Sequence, residues 1–356
     1  VPTTTLKPLY NMDKIRFGMT GTGRITDWVL KGAVLEPRFT VAAVCSRSQE
    51  RAEAFAASHG IPKAYSDFTE MVCSPDIDAV YIGTPNDTHK SLAIKAMEHG
   101  KHVLCEKPLG VSTADVEEMS ACAKENGVLL MEAMISTLSP NFLEVQRRAK
   151  SMGRPRNYFS AFCQYSSKCG TLKKILSGEE PGPVPSSFNP EHGGGALMDV
   201  GIYTIYPMVV LFGEPRSISA HGLTVKVPTG KGPMPTDLGG SAVFGYDGME
   251  AEIIYSKIAD SRLRTEISFD DGIISLDQIH VAKDVWMTRR GAPTSGRNEG
   301  PLPEDITVPS DPDPYLCEFR EFIDVLQSGR RESANNSLGN SLAVARILDE
   351  CRRQML

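Results

Sequence analysis

This chain lacks the Cys-x-x-Cys pairs and clustered Cys/His spacings of a zinc site, although it has eight cysteines. They are scattered at positions 45, 73, 105, 122, 163, 169, 317 and 351. Several sit inside apolar runs, as buried free thiols do, and a reducing, cytoplasmic setting is expected. Cys163 and Cys169 are the closest pair, and the sequence leaves a disulfide between them open. Positive charge is not in excess: 38 Lys and Arg against 44 Asp and Glu give a net −6. That leaves no electrostatic case for nucleic acid or an anionic membrane as partner. No apolar run reads as long enough to span a bilayer. Val1 to Met12 lacks the apolar core of a signal peptide, and residues 1–13 are expected to form a loose arm. There is no internal repeat. What is present is an ordinary globular composition, 41% hydrophobic, in 356 residues, enough for two domains and a sizeable core.

Residues 14–136 alternate strand-like and helix-like segments. Ile15–Thr20, Phe39–Cys45, Ile77–Ile82, Val103–Cys105 and Val128–Met131 read as buried strands. Between them Arg24–Leu35, Gln49–Ser58, Thr88–His99 and Ser112–Asn126 read as helices. Ser112 is placed as an N-cap and Gly127 as a stop signal. Such alternation predicts a parallel sheet covered on both faces. Over 137–356 the texture changes. Asn157–Gln164, Ile218–Val227, Gly240–Gly245, Glu250–Lys257, Thr265–Phe269 and Ile273–Leu276 read as strands, with Asp247-Gly248 and Asp271-Gly272 as hairpin turns. Ala196–Phe212 reads as one apolar helix, and Tyr315–Gln327 and Ser337–Arg353 as late amphipathic helices; 178–195 and 291–314 read as loops. The expected fold class is α/β: a parallel domain over 14–136, then an α+β domain over 137–356 with a mostly antiparallel, open-faced sheet.

Gly21-Thr22-Gly23-Arg24-Ile25-Thr26 follows the first strand and opens the first helix, the context that a dinucleotide-binding turn requires. Gly21 allows the tight turn and Gly23 the approach of a pyrophosphate, with Thr26 where a third glycine usually stands. An acidic residue at the end of the second strand would bind the ribose 2′-hydroxyl of NAD. Cys45-Ser46-Arg47 stands there instead, with Arg51 one helical turn on. Ser46 and the arginines suit a 2′-phosphate, so NADP is the expected cofactor. Gly83-Thr84-Pro85-Asn86 would lie at the sheet's carboxyl edge against ribose and nicotinamide, with His89 nearby and without proton chemistry. Glu106-Lys107-Pro108 places an ammonium group at the carboxyl end of a strand, where open α/β sheets bind ligands.

These motifs, together with Gly193-Gly194-Gly195-Ala196-Leu197-Met198-Asp199-Val200-Gly201-Ile202-Tyr203, resemble the Gfo/Idh/MocA oxidoreductases from about Lys14 to the last helix. The resemblance implies a Rossmann domain followed by an α+β domain whose open sheet face forms a homodimer or a higher homo-oligomer. Many relatives carry histidine where this chain has Tyr203. That variant, with Met131-Glu132-Ala133, resembles the branch of NADP-dependent D-xylose 1-dehydrogenases and dimeric dihydrodiol dehydrogenases.

The implied reaction is hydride transfer from a sugar or diol hydroxyl, with Tyr203 as acid/base. A free tyrosine has a pKa of about 10, too high for an efficient base at neutral pH. A neighbouring ammonium favours the phenolate, and Lys107 is expected to supply it. Asp199, four residues before Tyr203, is expected to orient Lys107 or to bind a substrate hydroxyl. D-xylose oxidation to the lactone is the first expectation. A trans-dihydrodiol, another aldose, an inositol, or dicarbonyl or ketosugar reduction are the alternatives. A non-catalytic dinucleotide-sensing regulator is the rival from another class, and the presence of both Lys107 and Tyr203 argues against it.

Overall fold

The computed structural model of the chain describes residues 13–291 and 300–356. The arm expected over 1–13 lies outside them, Asp13 apart, as does part of the loop expected over 291–314. The described residues form two compact units. One runs to Ile135 and resumes over Asp311–Leu342; the other is Ser136–Ser310 with Ala343–Leu356.

The first unit holds six strands: β1 (Ile15–Thr20), β2 (Phe39–Cys45), β3 (Ala64–Tyr65), β4 (Ala79–Ile82), β5 (His102–Glu106) and β6 (Leu130–Ala133). All pair in parallel, in the order β3-β2-β1-β4-β5-β6. All four residues of β4 are buried, as in a strand covered on both faces. Five helices connect the strands: α1 (Arg24–Ala33), α2 (Gln49–His59), α3 (Phe68–Cys73), α4 (His89–Glu98) and α5 (Thr113–Asn126). The predicted ends of α5 hold. Ser112 accepts a bond from the Asp115 amide, and Gly127 closes the helix in the left-handed region.

Residues 311–342, which the sequence reading placed with the second domain, cluster with this sheet. The helix Leu316–Gln327 buries Phe319 and Phe322 completely. Both rings lie within 5.6 Å of Phe17, and Phe319 meets Phe39 edge-on at 5.1 Å. The strand order reverses between β1 and β4, so the loops after these two strands meet at the carboxyl edge, where such sheets bind ligands.

The second unit is built on eight strands: β7 (Pro155–Cys163), β8 (Ser217–Val227), β9 (Met234–Gly245), β10 (Glu250–Ser256), β11 (Thr265–Phe269), β12 (Gly272–Asp277), β13 (Lys283–Arg289) and β14 (Glu304–Asp305). Their order is β14-β13-β12-β11-β7-β10-β9-β8. The sheet is antiparallel except where β10 runs parallel to β7. The two expected hairpins join β9 to β10 and β11 to β12. Helices α6 (Pro140–Ala149) and α7 (Cys169–Ser177) were not anticipated, whereas α8 (Ile202–Phe212) was. Ala251, Ile253 and Tyr255 of β10 are buried, while Glu250 and Ile254 are exposed, the alternation of a sheet with one covered face. Tyr158 of β7 donates from its hydroxyl to the Thr204 carbonyl of α8 at 2.8 Å.

Two expectations are corrected here. Ala196–Phe212 is not one regular helix: Leu197–Gly201 is a π-helical turn leading into α8. Pro190–Phe212 is also long and apolar enough by composition to cross a membrane, with a mean hydropathy of 1.6, contrary to the reading above. That window is 72% buried within the protein, so its apolarity serves packing.

Candidate active-site residues

The turn after β1 is shaped by close backbone approach. Gly21 has φ +94°, and a Cβ on it would stand 2.6 Å from the Gly83 carbonyl oxygen in the loop after β4. Only glycine fits both conditions. Gly23 caps α1 without a side-chain bond, and nothing lies within 4 Å of the place its Cβ would take. The space before the helix N-terminus is therefore open, as an anion requires. Thr26 is completely buried, and its hydroxyl oxygen has no partner. Thr22 and Ser46 hydroxyls lie 3.4 Å apart, joining the turn to the end of β2. Arg24 is exposed with its guanidinium over the Trp28 ring, and Ile25 is half-buried. Arg47 and Arg51 are exposed, with no side-chain partner among the described residues. Cys163 and Cys169 are both free thiols, as are the other six cysteines.

The loop after β5 is held at three consecutive residues. The Lys107 amide donates to Glu106 Oε2 at 3.2 Å. The Pro108 carbonyl lies 2.9 Å from His89 Nδ1. The Leu109 amide donates to Glu132 Oε1 at 2.9 Å. Each anchor is itself fixed. The Tyr81 hydroxyl donates to Glu106 Oε1 at 2.8 Å, His89 Nε2 faces the Thr84 carbonyl at 2.9 Å, and the Ser341 side chain bonds Glu132. His89 thus ties the Gly83-Thr84-Pro85-Asn86 loop to the Lys107 loop. Thr84 is braced by the Thr88 hydroxyl, Pro85 is exposed and Asn86 half-buried. Lys107 is half-buried.

The anchors carry unusual protonation. Burial, reinforced by Glu106, raises the Glu132 carboxyl to about 7. Burial pushes Glu318 well above the usual carboxylate range, and its Oε2 has no partner. For His89, burial disfavours the imidazolium, and its two facing carbonyls favour it; burial wins and its pKa falls.

In the second unit the Gly193–Tyr203 motif is a turn locked onto β9. Gly195 has φ +133°, and a Cβ there would collide with the Asp237 carboxylate. Asp237 is buried and accepts the Leu197 amide at 2.7 Å. The π-helical turn then presents Asp199, whose carboxylate bonds Lys257 Nζ at 2.5 Å. Lys257 is 2% exposed, donates also to the Ser187 carbonyl at 3.0 Å, and lies 4.3 Å from the centre of the Phe188 ring. No local pattern had singled Lys257 out; its only signal is a charge directly after the apolar strand β10. Tyr203 is half-buried, with Phe162 edge-on at 5.5 Å. The first unit thus gathers the expected cofactor residues and the Lys107 loop, and the second carries Asp199, bonded to Lys257, and Tyr203, packed against Phe162.

Two family models match the chain. "Oxidoreductase family, NAD-binding Rossmann fold" covers residues 15–134, and "GFO/IDH/MocA C-terminal domain" covers 148–275. A scyllo-inositol 2-dehydrogenase (NADP(+)) of Bacillus subtilis is 41% identical over 96% of this chain and 97% of its own length. A trans-1,2-dihydrobenzene-1,2-diol dehydrogenase of Xenopus tropicalis is 30% identical over 96% and 98%. Among solved structures, a levoglucosan dehydrogenase superposes with a TM-score of 0.81 at 20% identity, over 96% and 97% of the two chains. That likeness shows the fold alone. Taken with the parallel sheet, the glycine turn and the anchored Glu106-Lys107-Pro108 loop, these matches place the chain in the Gfo/Idh/MocA oxidoreductase family.

Proposed function

We propose that this protein is an NADP-dependent dehydrogenase acting on a hydroxyl of a six-membered ring that carries a vicinal hydroxyl. scyllo-Inositol is the first choice of substrate; D-xylose, the first expectation from sequence, and trans-dihydrodiols are the alternatives. All three offer that vicinal pair on a six-membered ring. The observation that carries the reading is the 41% identity with the inositol dehydrogenase along almost the whole chain.

The residues fit NADP. The open space before Gly23 and the buried, unpartnered Thr26 hydroxyl suit a pyrophosphate turn. The end of β2 offers Ser46, Arg47 and Arg51 to a 2′-phosphate, with Ser46 and Arg47 where an NAD site would place an acidic residue. Gly83, Thr84, Pro85 and Asn86 are assigned to the ribose and nicotinamide side. Bound there, the nicotinamide would accept the hydride.

The chain's own residues handle the proton. Tyr203 takes it from the reacting hydroxyl and returns it in the reverse direction. Lys107 supplies a positive charge that favours the phenolate and a donor for the substrate oxygen. Glu106, His89 and Glu132 hold the backbone that carries it. Asp199 is held by Lys257, and its half-exposed carboxylate accepts a bond from a substrate hydroxyl.

Assembly is proposed as a homodimer through the open face of the second sheet. The strand registers put Leu223, Val243, Ile254 and Ile273 on one face, and each is at least 37% exposed. Ile254→Lys is expected to give a monomer by light scattering; an unchanged mass would reject this face. The cytoplasm is the proposed location, in keeping with eight free thiols. The activity is tested by NADP reduction across scyllo-inositol, myo-inositol, D-xylose, D-glucose and a trans-dihydrodiol. Turnover of one or more supports a dehydrogenase. Tight NADP binding with no turnover of any would favour the regulator.

A further inference from the structure

Beside Tyr203 stands a group with no assigned role. His280 sits on the helical turn Ile279–Val281 between β12 and β13. Its ring stacks on Phe162 at 4.3 Å and 16°, and Tyr203 stands edge-on to it at 6.1 Å and 73°. The two non-glycine residues with positive φ among the described residues flank it: Gln278 at +51° and Asp284 at +48°. A side chain in that region is disfavoured, and such strain persists where the surrounding structure enforces it. The backbone here is bent to deliver the imidazole to Phe162 and Tyr203.

The protonation of the ring follows from its surroundings. Burial, helped by Lys283 and opposed by Asp277, brings its pKa down to about 4. The ring is therefore neutral above pH 5 and has one N–H. Nδ1 is buried and has no partner. A buried donor left unpaired is rarer than an unpaired acceptor, so the proton belongs on Nε2. His280 itself is only partly buried, and its ring makes no hydrogen bond among the described residues.

We propose that His280 is a substrate-binding residue, its Nε2–H donating to the ring hydroxyl vicinal to the one that Tyr203 deprotonates. This rests on the dehydrogenase reading above and extends it: the site selects vicinal diols over single alcohols. His280 moves no proton. An imidazole that stays neutral across the working pH range serves as a fixed donor, which leaves acid–base work to Tyr203.

The test compares wild type with His280→Phe and His280→Gln on a cyclic vicinal diol and on its monodeoxy analogue. Phenylalanine keeps a ring against Phe162 and removes the donor; glutamine puts an N–H near the place of Nε2. His280→Phe should raise KM for the diol by about 3- to 10-fold, the worth of one neutral hydrogen bond, with a smaller change in kcat. It should leave the monodeoxy analogue unchanged, and His280→Gln should recover most of the loss. The pH profile of kcat/KM above pH 5 should keep its shape in all three proteins. Equal effects on both substrates, no effect on either, or a limb of the pH profile that vanishes in His280→Phe would overturn the proposal. If His280→Phe does not fold, the proposal still requires wild type and His280→Gln to favour the diol over the monodeoxy analogue through KM, and it falls if they do not. If wild type turns over none of these substrates, the dehydrogenase reading fails instead.

Discussion

Glu132→Gln should stabilise the protein in a pH-dependent way. Glu132 is 2% exposed, accepts the Leu109 amide and is bonded by Ser341. Glutamine preserves both contacts: its Oε1 accepts from Leu109, and its Nε2 donates to a Ser341 hydroxyl that rotates. What changes is the charge. Burial moves the folded-state pKa from 4.5 to about 7. The folded protein then binds this proton more tightly than the unfolded chain does. The contribution to stability is therefore greatest below pH 4.5, declines as pH rises through the window from 4.5 to 7, and is lost above it. At about 1.36 kcal/mol per pH unit, the penalty above pH 7 approaches about 3 kcal/mol. Glutamine carries no such penalty.

The variant should match wild type near pH 4.5 and exceed it at pH 8 by up to about 3 kcal/mol. For a unit of this size that is roughly 5–10 °C in Tm. Thermal or urea unfolding of both proteins at the two pH values reads the difference directly, and effects of all other acids cancel between them. A difference of the same size at both pH values would show that glutamine acts through packing and refute the reasoning. A loss of stability at pH 8 would show that the charged carboxylate is what holds the Lys107 loop.

Arg47→Asp should weaken NADP binding at least about tenfold while sparing NAD, because it replaces a free guanidinium with a carboxylate at the end of β2; equal losses by fluorescence titration would reject the 2′-phosphate assignment. Tyr203→Phe should keep cofactor affinity and lose about 10²–10⁴-fold in turnover. Lys107→Met should lose as much or more, and the double variant little beyond either; wild-type turnover by Tyr203→Phe, with a deuterium isotope effect showing hydride transfer to be rate-limiting, would send the proton by another route. Lys257→Met should cost about 1–3 kcal/mol by removing the ammonium that Asp199 bonds, less than a fully buried pair because Asp199 is 38% exposed. Adding Asp199→Asn should restore stability but not turnover, and urea unfolding that finds Lys257→Met as stable as wild type would remove Lys257 from the site.

Features that depend on a few neighbouring residues were legible in the sequence. The Ser112 and Gly127 caps, the Gly21 turn and the Asp271-Gly272 hairpin each encode local geometry in a residue type. The first sheet was legible for a related reason: strands covered on both faces are short, unbroken apolar runs. Strand β13 was missed although Val285 and Met287 alternate with exposed or half-buried neighbours, because two buried residues are too few to separate a strand from a loop. The amphipathic stripe of Leu316–Gln327 announced a helix, but nothing in a stripe states which sheet it will cover; Phe17 and Phe39, far away in the sequence, decide that.

The same limit applies more sharply to the chemistry. A motif can place Asp199 and Tyr203 together because the chain connects them. It cannot show that Asp199 is held by Lys257, 58 residues on, since a lysine at the end of a strand is ordinarily solvated. Nor can it show that His280 lies against Tyr203, since a lone histidine in a turn carries no spacing signal. Both residues become visible only through what surrounds them: a lysine 2% exposed needs a counter-charge, and a histidine delivered by two strained residues needs a reason for that strain. Each of those needs is met by a group beside or on α8. The turn and helix that carry Asp199 and Tyr203 are thus tied to β10 through Lys257 and ringed by Phe162 and His280, and substitutions at those distant positions should alter the reaction without touching either motif.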